Sequence, residues 1–319
     1  MGRLRKMDLK KTASIAGSVL MVASLFFIGM RFAEMWDDLN FQVFASAWTI
    51  VLLLFVVMGE GFNVLIVAEN FRYLVKDLSK LVISRALVMK VYNNANMYKY
   101  IPGGFMYVVG RSQLAIEVDE LSHTKVALST VIEGVLWAVS ALILSLIYAS
   151  DFLIIYINQL ELNFARAVWL VLGLVLLAAI FMVYRLRHRI KEKAKGLRVG
   201  IIIKRLLTMI FIVNFWGVSF LATVTILGQP FSLSLGVTIV GLYIMSWLIG
   251  FLTPGAPSGL GVREIVLLMF LGGIVNEDIL ISAIVIHRGL QVSGDLFAYG
   301  MAWCYARYAR VKLKAELSE

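Results

Sequence analysis

Long apolar segments separated by short charged connectors are the feature that most constrains how this chain can fold. Six segments could each cross a bilayer: Thr12–Met30, Ala45–Ala68, Lys125–Ala149, Ala167–Tyr184, Leu206–Leu227 and Ile279–Trp303. Each has roughly the 17–25 residues that a helix needs to cross the hydrocarbon core. Charged residues make up only 16% of the chain, against about 25% in soluble domains. The sequence therefore predicts an all-α polytopic membrane protein.

Two further apolar stretches are interrupted by Pro-Gly turns that resemble each other. The first turn contains Pro102, and the second contains Pro254. Each proline is followed at the same spacing by an arginine, Arg111 in the first stretch and Arg263 in the second. Because proline and glycine interrupt helices, we expect each stretch to form two helical arms joined by a turn.

The distribution of basic residues predicts how these two stretches enter the membrane. Basic residues cluster at the N-terminus, in residues 69–90, in residues 185–205 and in the C-terminal tail, and the positive-inside rule places all four regions in the cytoplasm. A single crossing by residues 84–116 would export the basic loop at 185–205. Two crossings would leave the second arm too short to span. We therefore predict two re-entrant hairpins, residues 84–116 entering from the cytoplasm and residues 235–274 from outside.

The resulting order of elements repeats itself. Residues 12–149 and 166–303 each read as span, span, hairpin and span, and the offset between the repeats matches the offset between the two turns. This predicts one transmembrane domain over residues 1–319, with six full transmembrane helices, two opposed re-entrant helical hairpins and an inverted repeat. We expect a multi-pass protein of the cell (cytoplasmic) membrane with both termini in the cytoplasm. The basic start of the chain also resembles a signal peptide, but the long apolar run at 12–30 favours a retained span.

The turns have the composition of an anion-binding site. A helix that begins at the membrane midplane directs unpaired N–H groups and a positive dipole end into any cavity there. Glycines at the turns would let the backbone approach a ligand closely; they are Gly103, Gly104, Gly255, Gly259 and Gly261. Arg111 and Arg263 would add fork-shaped donors suited to a phosphate group. The sequence therefore predicts one anion site between the two turns.

Acidic residues in the neighbouring segments favour a second interpretation of the arginines. An intramembrane charge is costly and needs a partner or a function. Glu60, Glu133, Glu264 and Asp295 are the candidate partners, and Arg288 lies beside the helical face that carries Asp295. Arg111 and Arg263 could therefore bind a ligand or only form structural ion pairs. We expect all of these charged residues to surround the same site.

Three motifs carry a resemblance to a known family: Val131-Ile132-Glu133, the stretch Thr253–Glu264 and His287-Arg288. They resemble the lysylphosphatidylglycerol synthase transmembrane family, which includes flippase-like membrane proteins, and the resemblance extends over residues 12–303. The chain departs from the family pattern by inserting Ala256-Pro257-Ser258 and by having Gly110-Arg111 where the family has a Gly-Glu pair. The bifunctional members carry a cytosolic aminoacyl-transferase domain, which we expect this chain to lack. The resemblance implies movement of a phospholipid or a polyprenyl-phosphate-linked glycan between leaflets.

The remaining composition narrows the class of function. A single cysteine, Cys304, and three dispersed histidines, His123, His188 and His287, predict no metal site, and we expect no cofactor and no catalytic residue. The net charge of +10 is better explained by membrane orientation and anionic lipids than by nucleic acid. The expected partners are the membrane and an anionic phospholipid or polyprenyl-phosphate lipid. A second copy of the chain or an envelope-biosynthesis protein is the candidate protein partner.

The sequence is also compatible with two other functions. A membrane glycosyltransferase that uses a polyprenyl-phosphate sugar would employ the acids of the first external connector, Glu34, Asp37 and Asp38, as base and metal ligand. A non-transporting subunit of an envelope assembly would use the same polar residues only for helix packing.

Overall fold

The computed structural model describes Met30, residues 46–101, residues 106–150, Phe152, residues 199–253, Gly259 and residues 261–316. Within these residues every regular element is helical, and there is no strand. The α-helices are α1 (Ala47–Ser79), α2 (Arg85–Met97), α3 (Met106–Glu117), α4 (His123–Tyr148), α5 (Val199–Ile226), α6 (Leu233–Leu252), α7 (Val262–Leu271) and α8 (Glu277–Glu316). A short 3-10 helix, Tyr98–Tyr100, continues α2 toward the first turn.

Five of these helices, α1, α4, α5, α6 and α8, are long and apolar enough to cross a membrane. The shortest, α6, has 20 residues, which at 1.5 Å per residue gives about 30 Å. The chain is therefore a helical membrane protein with several spans, as predicted. α6 is the helix that the sequence assigned to an arm of the second hairpin, and its length by itself also permits a full crossing.

Three helices are too short to cross a bilayer. α2 has 13 residues, α3 has 12 and α7 has 10, whereas a full crossing needs about 17 or more. α2 and α3 pack against each other on either side of the first turn, and α7 packs against α6 after the second. Gly110 allows the close contact within the first pair, because a Cβ there would lie 2.6 Å from the ring of Tyr98.

Two long helices extend at their C-terminal ends beyond the segments expected from hydropathy, and α5 begins before its expected segment, at Val199. α1 continues past Ala68 to Ser79, so the stretch 69–90 is divided between the end of α1 and the start of α2. Lys80 ends α1 in a left-handed conformation, with φ of 65°. α8 likewise continues past Trp303 to Glu316. Both extensions are rich in helix-forming residues and contain neither glycine nor proline, so charge ends the apolar segment without ending the helix.

Some predicted features lie outside the described residues. They are most of the first span at 12–30, the first external connector with its three acids, the span 167–184, the basic loop at 185–198, and the apexes of both turns, including Gly103, Gly104 and Gly255.

Candidate functional site

A cavity of about 470 Å³ lies among all eight helices and is lined by residues of both turns' arms. Arg111 on α3 and Arg263 on α7 both line it, which places the two arginines predicted from the turn motifs at one site. The charged residues of its described lining are four basic and three acidic: Lys99, Arg111, Arg263 and Arg288, with Glu60, Glu133 and Asp295. We call this space the main cavity.

Arg111 is held by a buried ion pair and by aromatic rings. Its guanidinium donates to Glu133 on α4, and each of these two residues is only 2–3% exposed. The hydroxyl of Tyr92 donates to the other oxygen of Glu133 at 2.9 Å. The guanidinium carbon also lies 4.2 Å from the ring centre of Tyr92 and 4.8 Å from that of Phe71, within cation–π range. Arg111 is therefore fixed in one orientation at the cavity wall.

Arg263 has a different environment, because its hydrogen-bond partners are neutral. It donates to the hydroxyl of Tyr243 and to Oε1 of Gln291 at 3.1 Å, and its guanidinium carbon lies 4.4 Å from the Tyr243 ring centre. Among the described residues no carboxylate lies within 4 Å of its guanidinium nitrogens. Glu264, the next residue, carries a buried oxygen with no hydrogen-bond donor in the described structure. Arg263 is thus better placed than Arg111 to bind an anionic ligand.

His287 binds the Tyr243 hydroxyl that also binds Arg263, and it is not part of the described cavity lining. The Tyr243 hydroxyl accepts from Arg263 and from Gln291 Nε2 at 3.0 Å, so its own proton is directed to His287 Nε2 at 2.9 Å. His287 is then protonated at Nδ1, which donates to Thr223 at 3.1 Å, and Thr223 donates to the carbonyl of residue 219. This assignment follows from counting donors and acceptors. It makes His287 a neutral structural group.

Asp295 joins the first turn to α8. It accepts hydrogen bonds from Asn96 at 2.8 Å and from the hydroxyl of Tyr100, and Lys99 Nζ lies 2.7 Å from its second oxygen. The predicted partner of the arginines is therefore occupied by a lysine. Lys99 is 31% exposed while Asp295 is 3% exposed, so the lysine connects the buried acid to the open part of the cavity.

Four aromatic side chains form one side of the main cavity and were not predicted. Trp137, Trp216 and Trp247 lie with ring centres 5.0–5.6 Å apart, and Phe251 stacks on Trp247 at 5.1 Å. These rings contact each other and form a continuous surface, the aromatic wall. The spacing of Trp247 and Phe251, one helical turn apart, could have predicted part of it.

Of the remaining described residues that the sequence predicted for the site, three line the main cavity and two do not. Glu60 lines the cavity and accepts from the Ser219 hydroxyl, and Arg288 lines it from α8. Gly259 also lines the cavity; its φ is +71°, and a Cβ there would lie 3.1 Å from the backbone of Gly250. Gly261 precedes α7 with φ of +82° and is exposed. Neither Gly261 nor Glu264 is part of the described lining.

Neither a cluster of metal ligands among the described residues nor a known relative identifies the function of the main cavity. In the part of the chain that the structure describes, no three His, Cys, Asp or Glu side chains come together as metal ligands. The sequence matches no protein-family model, and a comparison with curated proteins finds no match. The resemblance to the lysylphosphatidylglycerol synthase transmembrane family accordingly stays a prediction.

Proposed function

We propose that the protein moves a lipid with a phosphate head group between the leaflets of the membrane, and that the head group passes through the main cavity. The candidate substrates are an anionic phospholipid and a polyprenyl-phosphate-linked glycan. The observation that carries the proposal is that Arg111 and Arg263, which follow two similar turns in distant parts of the chain, line one cavity whose described lining includes seven charged side chains. Such a cavity would lower the barrier to crossing, because a polar head group otherwise loses its hydration in hydrocarbon.

The electrostatics of the cavity favour an anionic substrate. Arg111 is neutralised by Glu133, and Lys99 by Asp295. Arg263 is held by neutral side chains, so its charge is available to a phosphate. A buried guanidinium forms two parallel hydrogen bonds with phosphate oxygens, which gives both affinity and geometric selection.

We also propose that α2–α3 and α6–α7 are the two re-entrant hairpins within a six-span inverted repeat. Trp247 and Phe251, at the end of α6, contact Trp137 near the middle of α4 and Trp216 within α5. The first arm of the first hairpin ends near Tyr100, which contacts Asp295 near the middle of α8. Two helix ends therefore lie at the level of the middles of long helices, which supports turns near the membrane midplane. Irregular backbone is tolerated at this depth where it lines a cavity.

The proposed orientation follows the distribution of charge. Both termini and the basic ends of α1 and α5 are placed in the cytoplasm by the positive-inside rule, and the cell membrane is the proposed location. The glycosyltransferase alternative depends on Asp37 and Asp38, which lie outside the described residues, and no described contact favours it.

The proposal is tested by replacing Arg263 with glutamine in full-length protein reconstituted into proteoliposomes. The liposomes contain a phosphatidylglycerol with a fluorescent head group, and added dithionite bleaches only the outer leaflet. Loss of a charge-assisted hydrogen bond, about 1.5–3 kcal/mol, predicts translocation roughly ten- to hundredfold slower than in the unchanged protein. Arg263→Lys keeps the charge without the fork and should retain an intermediate rate.

Arg307→Gln is the matched control, because Arg307 is exposed on α8 and lies about 18 Å along the helix axis beyond the cavity residue Asp295. Elution as a single species and unchanged helical circular dichroism show that each variant is folded. Equal bleaching kinetics in folded Arg263→Gln and unchanged protein would refute the proposal. Loss of function in Asp37→Asn with Asp38→Asn would instead support the glycosyltransferase alternative.

A further inference from the structure

A second space, the lateral groove, lies outside the main cavity and has a volume of about 530 Å³. It runs between α1, α2, α5 and α8, and its side chains divide into an apolar and a polar group. The apolar group comprises Phe62, Leu65, Ile66, Met89, Met301 and Ala302, and the polar group comprises Glu69, Asn70, Tyr73, Arg85, Arg205 and Tyr305, with Thr208 beside them. On α1 the main cavity is lined by Glu60, Val64 and Val67, which are on a different face.

One face of α1 explains why the groove has two chemical ends. Phe62, Ile66, Asn70 and Tyr73 follow each other at helical spacing on this face, over about 16 Å along the helix axis. The residues nearer the middle of α1 are apolar, and those nearer its basic end are polar. A lipid of the adjoining leaflet would therefore have its acyl chains beside the apolar end of the groove and its head group beside the polar end.

The polar end contains buried donors that lack acceptors. Arg205 is 8% exposed and Asn70 is 2% exposed, and Arg205 Nη1 donates to Asn70 Oδ1 at 3.2 Å. Neither Arg205 Nε nor Asn70 Nδ2 has a hydrogen-bond acceptor in the described structure. The carboxylate of Asp77 is 3.8 Å from Arg205 Nε, beyond hydrogen-bond length. Asp77 Oδ2 is itself buried without a donor, so a small movement would pair it with Arg205 Nε. Buried donors are normally satisfied, and the Nδ2 group of Asn70 therefore indicates a further acceptor that binds here.

Further guanidinium groups converge on the same end. Arg205 and Arg72 lie 4.5 Å and 4.6 Å from the ring centre of Tyr73. Arg85, whose side chain is 57% exposed, and Arg72 both bind Glu69, at 3.1 Å and 2.6 Å. Three guanidinium groups thus face two carboxylates, those of Glu69 and Asp77. The remaining positive charge complements one negatively charged group.

We propose that the lateral groove is a binding site for an acidic phospholipid. Its phosphate accepts hydrogen bonds from Arg205 and Asn70, and one acyl chain lies along Phe62 and Ile66. A lipid fits better than free phosphate because the apolar part of the groove is open at its side: Phe62, Ile66 and Met301 are 47%, 41% and 44% exposed. The proposal is independent of transport through the main cavity.

The test is photocrosslinking of full-length protein in lipid nanodiscs. The probe is a phosphatidylglycerol with a diazirine on one acyl chain, and crosslinked peptides are identified by mass spectrometry. Crosslinks at Phe62–Ile66 and at Met301 should exceed those at Phe211, an exposed residue of α5 outside the groove. Arg205→Gln should reduce the groove crosslinks roughly tenfold, because a charged hydrogen-bond donor is lost.

Arg310→Gln is the matched control, since it removes an exposed positive charge from α8 and should leave the groove crosslinks unchanged. Ile66→Trp fills the apolar end without changing charge and should also abolish them. Equal labelling by a phosphatidylcholine probe, or equal labelling of folded Arg205→Gln, would overturn the proposal. Displacement of the probe by millimolar inorganic phosphate would also overturn it, because the site would then take a free anion.

Discussion

Replacing Gly294 with alanine should separate α8 from α1, two of the helices that line the main cavity. A Cβ at Gly294 on α8 would lie 2.6 Å from the Cβ of Glu60 and 3.1 Å from the backbone nitrogen of Gly61. Ordinary contacts between carbon atoms are about 3.5–4.0 Å, so α1 and α8 would have to move apart by about 1 Å. Overpacking of this kind costs about 1–3 kcal/mol, and small residues commonly mediate such contacts between membrane helices.

The same helix supplies a matched control. A Cβ at Gly300 would meet no atom within 4 Å, so Gly300→Ala should leave stability unchanged or raise it by about 0.5–1 kcal/mol. Both variants are compared with the unchanged protein by reversible unfolding in mixed micelles. The reasoning is refuted if Gly294→Ala is as stable as the unchanged protein. Because Gly294 precedes Asp295 and faces Glu60, the proposed lipid translocation should also be slower in the folded variant.

Two further predictions concern the cavity wall. Arg111→Met and Glu133→Leu should each destabilise the protein by about 3–5 kcal/mol, because each leaves an unpaired buried charge. The double variant should recover most of this loss of stability. The stabilities are measured by unfolding in micelles, and additive losses in the double-mutant cycle would contradict the pairing. Gly259→Ala should be destabilised by strain at its φ of +71° and by contact with Gly250, whereas Gly273→Ala, with open space around the Cβ, should not. Equal unfolding midpoints for these two glycine variants would contradict that argument.

The membrane class and the approximate positions of the described long helices could be predicted because they depend on local properties. An apolar segment must satisfy its backbone hydrogen bonds internally in lipid, and a helix does so without distant contacts. Helix ends were predicted less well: α1 and α8 continue into charged sequence. Hydropathy locates the hydrocarbon boundary, but helix propensity decides where the helix ends.

The environments of the charged residues depended on tertiary packing. The sequence singled out Arg111 and Glu133, and the fold pairs them. It equally singled out Arg263 and Asp295, but the fold gives Arg263 neutral partners and gives Asp295 to Lys99. The acidic and basic residues of a sequence could form many different ion pairs. Only the packing of particular helices brings one acid and one base within hydrogen-bond distance.

From sequence alone, this chain is a helical membrane protein whose two interrupted segments each lead to an arginine. The tertiary structure decided that the two arginines line one cavity, that an aromatic wall lines the same cavity, and that a separate groove with a buried unsatisfied donor runs along α1. The physical reason is the range of the interactions. Hydrophobicity and helix breaking act within a segment, whereas ion pairing, ring contacts and the volume of a cavity depend on which faces of distant helices meet.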